Sequence, residues 1–548
     1  MRQMLFAVMA GCLSASAMAA DTDFSGWLQS DIRYRLHDVP AGAWYAPAGV
    51  SSGFERVETV LGGRLNAEGD GIIGFVDLQL VASGSRSNIG QIGDLGDRTQ
   101  VDPVALEVNE AFFEVWDVGL QGLDLRIGHQ LVQWGVGDQF NPTNNLNSDD
   151  LEDPLQFGKQ LPNTMIRGDY ALGPMWTLSG VFVPMFRPAM LPETSAIGMA
   201  FTDRMPVVED DVRRQLQSEQ ALARDSFGYP TIVGSAKILD PAASLANGAG
   251  MVRLGGVLGS QDLALSWYSG RSDIPQPVGN HTRLVRAPLC HPDRPTECIK
   301  GYMVTEAELA FPRMHVAGLN VAGELDVLGW MGGSPLGWRL EAAWVVPERL
   351  NIAISNDELP IDPSLIQPAG EYDYGLGGER PTVIDDTPFA KWTLGLDYTL
   401  GKHVYLNTQW VHGMTDEFGA GDFIQPDYVT RAGDGDWEIR RLRLGDYLVL
   451  GSDIALGGAT LRLFSLLDMT GYQTETADGS GGERNIVKHS AWSEDGFSAV
   501  LYPELMFNFG NGLTAGLGTV QLFGKAHTKF GDPAAGGDLV FVRGSYDF

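Results

Sequence analysis

Residues 123–151 read LDLRIGHQLVQWGVGDQFNPTNNLNSDDL, and this stretch decides the fold class. Its first half alternates strictly, with apolar Leu123, Leu125 and Ile127 on one phase and polar Asp124 and Arg126 on the other. A strand with one apolar and one charged face needs an apolar medium on its first side. The second half is rich in Asn, Asp, Gly and Pro, and is too polar for that medium. We therefore interpret the stretch as a membrane-spanning strand that rises into an elaborate external loop.

Similar alternating segments recur to the last residue, and each ends in a turn or a polar loop. No later segment approaches the roughly 18 consecutive apolar residues of a membrane helix. A closed barrel is the other way for a chain to satisfy its backbone in lipid. Short turns and long loops alternate along the chain, as in bacterial barrels. The sequence thus predicts an all-β fold, a transmembrane antiparallel up-and-down β-barrel of about 18 strands, within a range of 16–20.

The first residues predict export from the cytoplasm. A short basic start, an apolar run over residues 4–13 and the small residues Ala17-Met18-Ala19 are typical of a secretory signal peptide over residues 1–20. An alternative is that Met9-Ala10-Gly11-Cys12 acts as a lipoprotein box. The alternation begins by residue 24, so we expect residues 21–548 to form a single barrel domain without a preceding plug.

The formal net charge of -31 argues against nucleic acid, because its binders are basic. This acidity suits long loops that stay soluble at a surface rich in calcium and lipopolysaccharide, or else a mouth that favours cations. Two long loops are predicted, over residues 185–250 and 348–388, and the second is an acidic external loop. Within the first, residues 207–225 place apolar side chains at helical spacing, so this loop is predicted to be partly helical. It would form either a surface cap or a constriction in the pore.

Two cysteines follow the signal, Cys290 and Cys298, in a Pro-rich loop. In an oxidising periplasm they should form a disulfide. Metal binding together with His291 is the alternative, but we expect neither a metal site nor a cofactor. Nor do we expect an enzyme, because the chain has no Gly-x-Ser-x-Gly motif and its nine histidines are scattered.

Because side chains alternate between the two faces of a strand, the polar ones opposite the apolar face should point into the barrel and line a pore. They are Asp31, Arg33, Arg35, Arg56, Arg64, Glu110, Glu114, Arg126, Gln130, Asn407, Gln409 and Glu504. Facing rows of Arg and carboxylate would create a transverse field, and an inserted loop would set the size limit. The leading hypothesis is an outer-membrane channel for small or amphiphilic solutes. The alternatives are a partner-dependent export or lipid-transfer conduit, favoured if Phe112, Trp116 and Trp134 line an apolar path, and a structural or adhesive surface barrel.

Several motifs resemble those of Gram-negative outer-membrane channel proteins, and more narrowly of a group of large barrels: Arg126-Ile-Gly-His-Gln130, Asn141-Pro142, Gly395-Leu-Asp-Tyr398 and Val411-His-Gly413. The resemblance implies location in the outer membrane of a Gram-negative bacterium and transport or export of small or lipid-like molecules. The final Tyr546 and Phe548 resemble the signal by which such barrels are recognised for insertion. We therefore expect membrane lipid, lipopolysaccharide and the barrel-assembly machinery as partners, with a periplasmic or inner-membrane transport partner as a further one.

Overall fold

The computed structural model describes most of the chain from residue 21 onward. The described ranges are 21–38, 52–84, 97–153, 158–190, 231–291, 294–326, 334–351, 353–357, 386–414, 445–470, 484–525 and 537–548, with short pieces between them. The predicted signal peptide over residues 1–20 and the predicted helical segment over residues 207–225 lie outside the described residues, as does much of 348–388.

The main sheet contains eighteen strands within the described part of the chain, numbered here in chain order. Their bounds are β1 Asp21–Arg35, β2 Gly53–Gly69, β3 Ile72–Ser83, β4 Val104–Val115, β5 Leu123–Gln130, β6 Asn163–Ala171, β7 Trp176–Val183, β8 Ala249–Leu258, β9 Gln261–Arg271, β10 Arg313–Leu325, β11 Leu336–Pro347, β12 Phe389–Leu400, β13 Val404–Met414, β14 Gly445–Ala455, β15 Ala459–Asp468, β16 Ser498–Gly510, β17 Leu513–Gly524 and β18 Leu539–Asp547.

Each strand pairs antiparallel with its neighbours in the chain, and the first strand pairs with the last, which closes the sheet. In that seam Trp27 of β1 lies opposite Asp547 of β18, and the register continues to Arg35 opposite Leu539. Closure removes every free sheet edge, so each backbone group of the wall can be paired. The predicted 18-strand up-and-down barrel is confirmed.

Alternation along the strands separates an apolar outer face from a polar inner face. In β1, Ile32 is 43% exposed while the adjacent Arg33 is 3% exposed. Other strands likewise expose large apolar side chains, as expected of a wall that faces lipid: Leu61, Phe113, Leu178, Trp267, Trp344, Leu394 and Leu517. No described helix has the length and apolar character needed to cross a membrane.

The two ends of the barrel differ in their connections. Tight reversals such as those at 70–71, 259–260 and 511–512 lie at one end, called here the short-turn end. The connections at the other end, called here the long-loop end, include 131–162, 184–248, 272–312 and 348–388. β1 begins and β18 ends at the short-turn end. This agrees with the predicted alternation of short turns and long loops.

One stretch with the composition of a single strand is divided in the structure. Residues 306–325 read as a single long strand, but the chain breaks at Phe311 and Pro312 before β10 begins. Proline cannot donate a ladder hydrogen bond, which favours an end of pairing at that point. The first half joins a separate five-stranded sheet at the long-loop end, with strands Thr231–Leu239, Tyr302–Ala310, Gln276–Val285, Ala353–Asp357 and Gly370–Glu371 in spatial order.

Three different loops supply these strands, which the alternation did not predict. Beside the sheet, Leu289–Cys290 pairs with Cys298–Ile299, and a disulfide joins the two cysteines. Further short pairs and helical turns complete the described secondary structure: Ser148–Asp149 with Gln160–Leu161, Leu350–Asn351 with Thr382–Ile384, Gln425–Pro426 with Leu442–Arg443, Tyr472–Ala477 with Arg484–His489, the helix Arg98–Val101 and the 3-10 turn Leu245–Asn247.

A β-bulge in β4 changes which side chains face inward. Opposite β3, the register shifts between Asp77 and Leu78, so that Asn109 is the extra residue. Its Nδ2 donates to Asp77 Oδ1 at 3.0 Å, and its neighbour Glu110 also faces inward, accepting from the N–H of Leu131 at 2.9 Å. Two consecutive side chains therefore point into the lumen, as bulges allow.

Candidate functional site

The loop between β5 and β6, residues 131–162, folds into the barrel and is called here the inner loop. It contacts side chains of four consecutive strands, β10 to β13, inside the wall: Asn320, Glu341, Thr393, Asn407 and Gln409. The expectation of an external loop is therefore wrong for this segment. The polar residues that seemed unsuited to the membrane instead find partners on the inner wall.

Glu341 of β11 anchors the middle of the inner loop. Its carboxylate accepts the backbone N–H groups of Val136 at 2.7 Å, Gly137 at 3.1 Å and Thr143 at 2.8 Å, and also the Thr143 hydroxyl at 2.8 Å. The Glu341 side chain is fully buried. Hydrogen bonds to a charged acceptor each contribute about 1.5–3 kcal/mol. The four donors together hold a turn of the loop against one strand.

Neighbouring strands add backbone anchors on either side of Glu341. Asn320 of β10 donates to the Trp134 carbonyl at 2.7 Å, and Thr393 of β12 donates to the Phe140 carbonyl at 2.9 Å. These side chains satisfy two backbone carbonyl groups of the buried loop. The inner loop is thus fixed to three adjacent strands at the level of residues 134–143.

Asp138 of the inner loop contacts side chains close to the short-turn end, because Arg339 and Asn407 each lie three residues from a strand terminus there. Its Oδ2 accepts from Arg339 Nη2 at 2.7 Å, Asn407 Nδ2 at 2.8 Å and Gln409 Nε2 at 3.0 Å. The Asp138 side chain remains 39% exposed. Its carboxylate therefore adds an accessible negative charge to the space that the loop narrows.

Asp153, near the return of the inner loop, is bound to the opposite side of the barrel. Arg33 of β1 donates to both its oxygens, at 2.7 and 2.6 Å, and Arg56 of β2 lies 3.7 Å from it. The pairing of planar guanidinium and carboxylate groups is bidentate, which fixes orientation as well as distance. Arg33 also contacts Asp31, which in turn accepts from Arg543 of β18 at 3.2 Å. The inner loop consequently spans the lumen from β11 to the closure seam.

Apolar packing supports the same position. Phe140 is fully buried in a cluster contributed by β13 to β18 and by Phe530: Val411, Tyr447, Val449, Leu466, Val500, Tyr502, Val520, Leu539 and Phe541. On the other side, Val132, Trp134 and Leu146 pack with inward side chains of β6 to β11. Apolar side chains of the inner loop are thus buried against two groups of strands, which holds the loop as a packed element of the barrel interior.

At the long-loop end, Asp273 ties the inner loop to a neighbouring connection. Its Oδ2 accepts the Asp149 N–H at 2.7 Å, and its carbonyl accepts the Ala189 N–H at 3.0 Å. Burial raises the pKa of the Asp273 carboxyl above its ordinary value, against the lowering effects of the Asp149, Asp273 and Ile274 N–H groups and of Lys391. Two small polar cavities, of about 50 and 70 Å³, flank this junction.

The other side chains predicted to line a pore lie on the same inner wall. Their contacts join strands to one another: Arg35 to Glu55 at 2.8 Å, Arg64 to Asp77 at 2.6 Å, Arg126 to Glu114 at 2.7 Å, Gln130 to the Met165 carbonyl at 3.1 Å, and Glu504 opposite Arg462 in register. Arg64 is the most exposed of the basic side chains in this set, and its guanidinium stacks over Trp27 at 4.9 Å.

The three inward aromatics do not form a continuous apolar path. Trp134 is buried within the packed loop, with Arg167 and Arg253 each 5.8 Å from its ring. Phe112 lies beneath Arg126 at 4.3 Å, and Trp116 donates its ring N–H to Glu114 at 3.0 Å. Charged groups therefore separate the rings, which does not favour a lipid conduit through the lumen.

Alternation along the strands predicted the inward side chains of the wall but not the loop residues that contact them. Glu341 and Arg339 lie on the charged phase of β11, so alternation predicts their inward direction. Asp138 lies in the polar run of residues 123–151, which indicates only a loop, and Asp153 lies beyond that stretch. Among the described residues, no cluster of three or more His, Cys, Asp or Glu side chains is arranged to hold a metal ion.

Comparisons with known proteins found structural neighbours only. No protein-family model and no curated protein matches the chain. The fold is similar to Pseudomonas aeruginosa OccK8 (OprE), at a TM-score of 0.45 and 8% identity, over 96% of this chain and 98% of that one. It is also similar to Acinetobacter baumannii OccAB3, with a TM-score of 0.42 and 9% identity over 96% of this chain and 99% of that one. The TM-score to Salmonella typhi OmpF is 0.37, with 7% identity over 97% of this chain and 98% of that one. At such identities these likenesses carry no information about the solute.

Proposed function

We propose that the chain is an outer-membrane channel through which small polar or amphiphilic solutes diffuse past a constriction formed by the inner loop. The observation that carries the proposal is the anchoring of that loop across the lumen, from Glu341 on one wall to Arg33 on the other. Because buried hydrogen bonds and ion pairs hold the loop in one position, the loop narrows the pore to a constant width.

The route for solutes follows from exposure inside the barrel. The packed loop covers the inner faces of β6 to β18 near the long-loop end, while polar groups on β2 to β4 remain accessible, including Arg64, Gln79 and Glu107. Gln79 donates to Glu107 at 2.6 Å, so this wall carries a hydrogen-bonded polar surface. Water and polar solutes would pass between this wall and the loop.

Liposome swelling and single-channel conductance of the chain from residue 21 to 548 test the proposal. Neutral sugars of increasing size should permeate up to a sharp limit, and replacement of residues 133–146 by a Gly-Ser linker should raise both the limit and the conductance. The linker variant must first show the heat-dependent gel mobility of a folded barrel. If both proteins insert but neither conducts, a closed structural barrel or a partner-dependent conduit replaces the diffusion channel.

A further inference from the structure

The lipid-facing wall carries a groove of about 620 Å³ across β11 to β16. Its sides are formed by outward leucines, among them Leu396, Leu406, Leu450 and Leu463. Three small hydroxyl side chains, Thr408, Ser452 and Ser465, lie between them. The groove lies outside the lumen, on the opposite face of the wall from the inner-loop contacts described above.

Strand register explains why the outer surface of the wall is depressed here. Thr408 stands between Leu396 and Leu450 in the cross-strand row, and Ser465 stands between Leu450 and Leu501. In the next row Ser452 stands between Leu406 and Leu463. Since side chains of one row project from the same face, each small residue leaves a gap between two large ones.

Backbone forms the floor of the groove. Asn407 lines it, but its amide reaches Asp138 inside the barrel, so only its main chain faces outward. Gly451, its cross-strand partner, lies on the same inward phase, so it too contributes only main chain to the groove. The floor is therefore recessed below the level of the surrounding leucines.

The surroundings of the groove are those of a membrane interior. Leu406 and Leu450 are 43% and 42% exposed on the outer wall. Ser465 donates its hydroxyl to the Val500 carbonyl at 3.0 Å, so it presents no free donor to the groove. An apolar hollow inside the bilayer offers water few partners, and unfilled space forfeits dispersion contacts. Some apolar group must therefore occupy it.

We propose that the groove binds one acyl chain of a phospholipid from the leaflet at the short-turn end. Most of its lining lies toward that end, since Tyr398 and Leu406 are each two residues from a strand terminus there. A second barrel would fill the groove less well, because its outer wall is convex and cannot enter a recess in another convex wall. A single flexible chain can follow the recess across neighbouring strands.

Photolabelling tests this assignment. The chain from residue 21 to 548 is reconstituted in phosphatidylcholine vesicles that contain a trace of phosphatidylcholine with a diazirine in mid-chain, and labelled peptides are mapped after illumination. Peptides of β13 to β15 should be labelled in excess over other outward strands. The double variant Ser452→Leu/Ser465→Leu should lower that labelling by about tenfold, as expected for lost burial of about two methylene groups.

A matched control makes the same chemical change elsewhere on the outer wall. Ser30 and Thr59 form an outward hydrogen-bonded pair at 3.0 Å on β1 and β2, so Ser30→Leu/Thr59→Leu should leave β13 to β15 labelling unchanged. Thr408→Leu alone serves if the double variant does not fold. Uniform labelling around the barrel, or excess labelling that survives groove filling, would overturn the proposal. Cross-links between two copies at the groove would replace the lipid by a second chain.

Discussion

Glu341 accepts hydrogen bonds from both the backbone N–H and the side-chain hydroxyl of Thr143, each at 2.8 Å. This pair joins a barrel strand to a loop nearly two hundred residues earlier in the chain. Because Glu341 also binds the Val136 and Gly137 N–H groups, one carboxylate holds a central turn of the inner loop.

Glu341→Ala should release the inner loop. The substitution leaves three backbone N–H groups without their acceptor, at about 1–3 kcal/mol each if they stay buried, so displaced loop states should become at least about tenfold more frequent. Single-channel recordings should show larger and noisier open levels than the unmodified protein. Glu324→Ala, an exposed glutamate at the end of β10, is the control. Unchanged recordings for Glu341→Ala would show that the loop does not depend on this carboxylate.

Asp138→Asn should lower the ratio of cation to anion permeability of the proposed channel. The amide keeps an oxygen acceptor for Arg339, Asn407 and Gln409, so the loop should stay in place while one accessible negative charge is lost. The cation-to-anion permeability ratio should fall by up to about fivefold at low salt, and less at high salt. Reversal potentials in a salt gradient measure this ratio. Asp70→Asn, in the turn between β2 and β3, should leave it unaltered.

Asp273 should make the attachment of the inner loop dependent on pH. Burial raises the pKa of Asp273, so the folded junction retains a proton over a range in which the unfolded carboxyl has already lost it. Folding takes up a proton there, and stability falls as pH rises from the ordinary Asp value to the raised one, then levels off. Limited proteolysis of the inner loop across this range should show increasing cleavage with pH, and Asp273→Asn should remove the trend. An equal trend in both proteins would assign it to another group.

Gly26→Val should impair closure of the barrel. Phe548 exchanges two backbone hydrogen bonds with Gly26, both at 2.8 Å, and a Cβ at Gly26 would lie 2.5 Å from the Phe548 ring. Displacing the ring should cost about 1–3 kcal/mol, as overpacking usually does, and reduce the yield of heat-modifiable folded protein. Gly180→Val in β7 is a matched control, since a Cβ there meets nothing within 4 Å. Equal yields would remove any role for this contact.

The sequence alone predicted the wall well because its signal is local. A period of two along β1 is enough to place Ile32 outward and Arg33 inward, whatever the rest of the chain does. The same rule fails at Asn109, where a bulge adds one residue and reverses the phase upstream. No feature of the sequence VNEAF marks that bulge, since it depends on how β4 pairs with β3.

The inner loop could not be predicted from its own residues. Asn, Asp and Pro suit an external turn and a buried hydrogen-bonded crossing equally well, and the choice depends on partners as distant as Glu341 and Gln409. Phe140 was the available hint, because a large apolar side chain in an otherwise polar loop requires burial. The sequence predicted which charged side chains of the strands point inward, but not that they pair with Asp138 and Asp153.

The seam between β1 and β18 also determines when the molecule can be completed. Asp31 and Arg543 are separated by 512 residues, yet their strands must pair for the ring to close. The N-terminal strand therefore waits with an unpaired edge until the whole chain has been delivered, and contacts of such long range form slowly. During that interval an open strand edge is prone to aggregation. Completion of the ring therefore depends on keeping that first edge unpaired until β18 arrives.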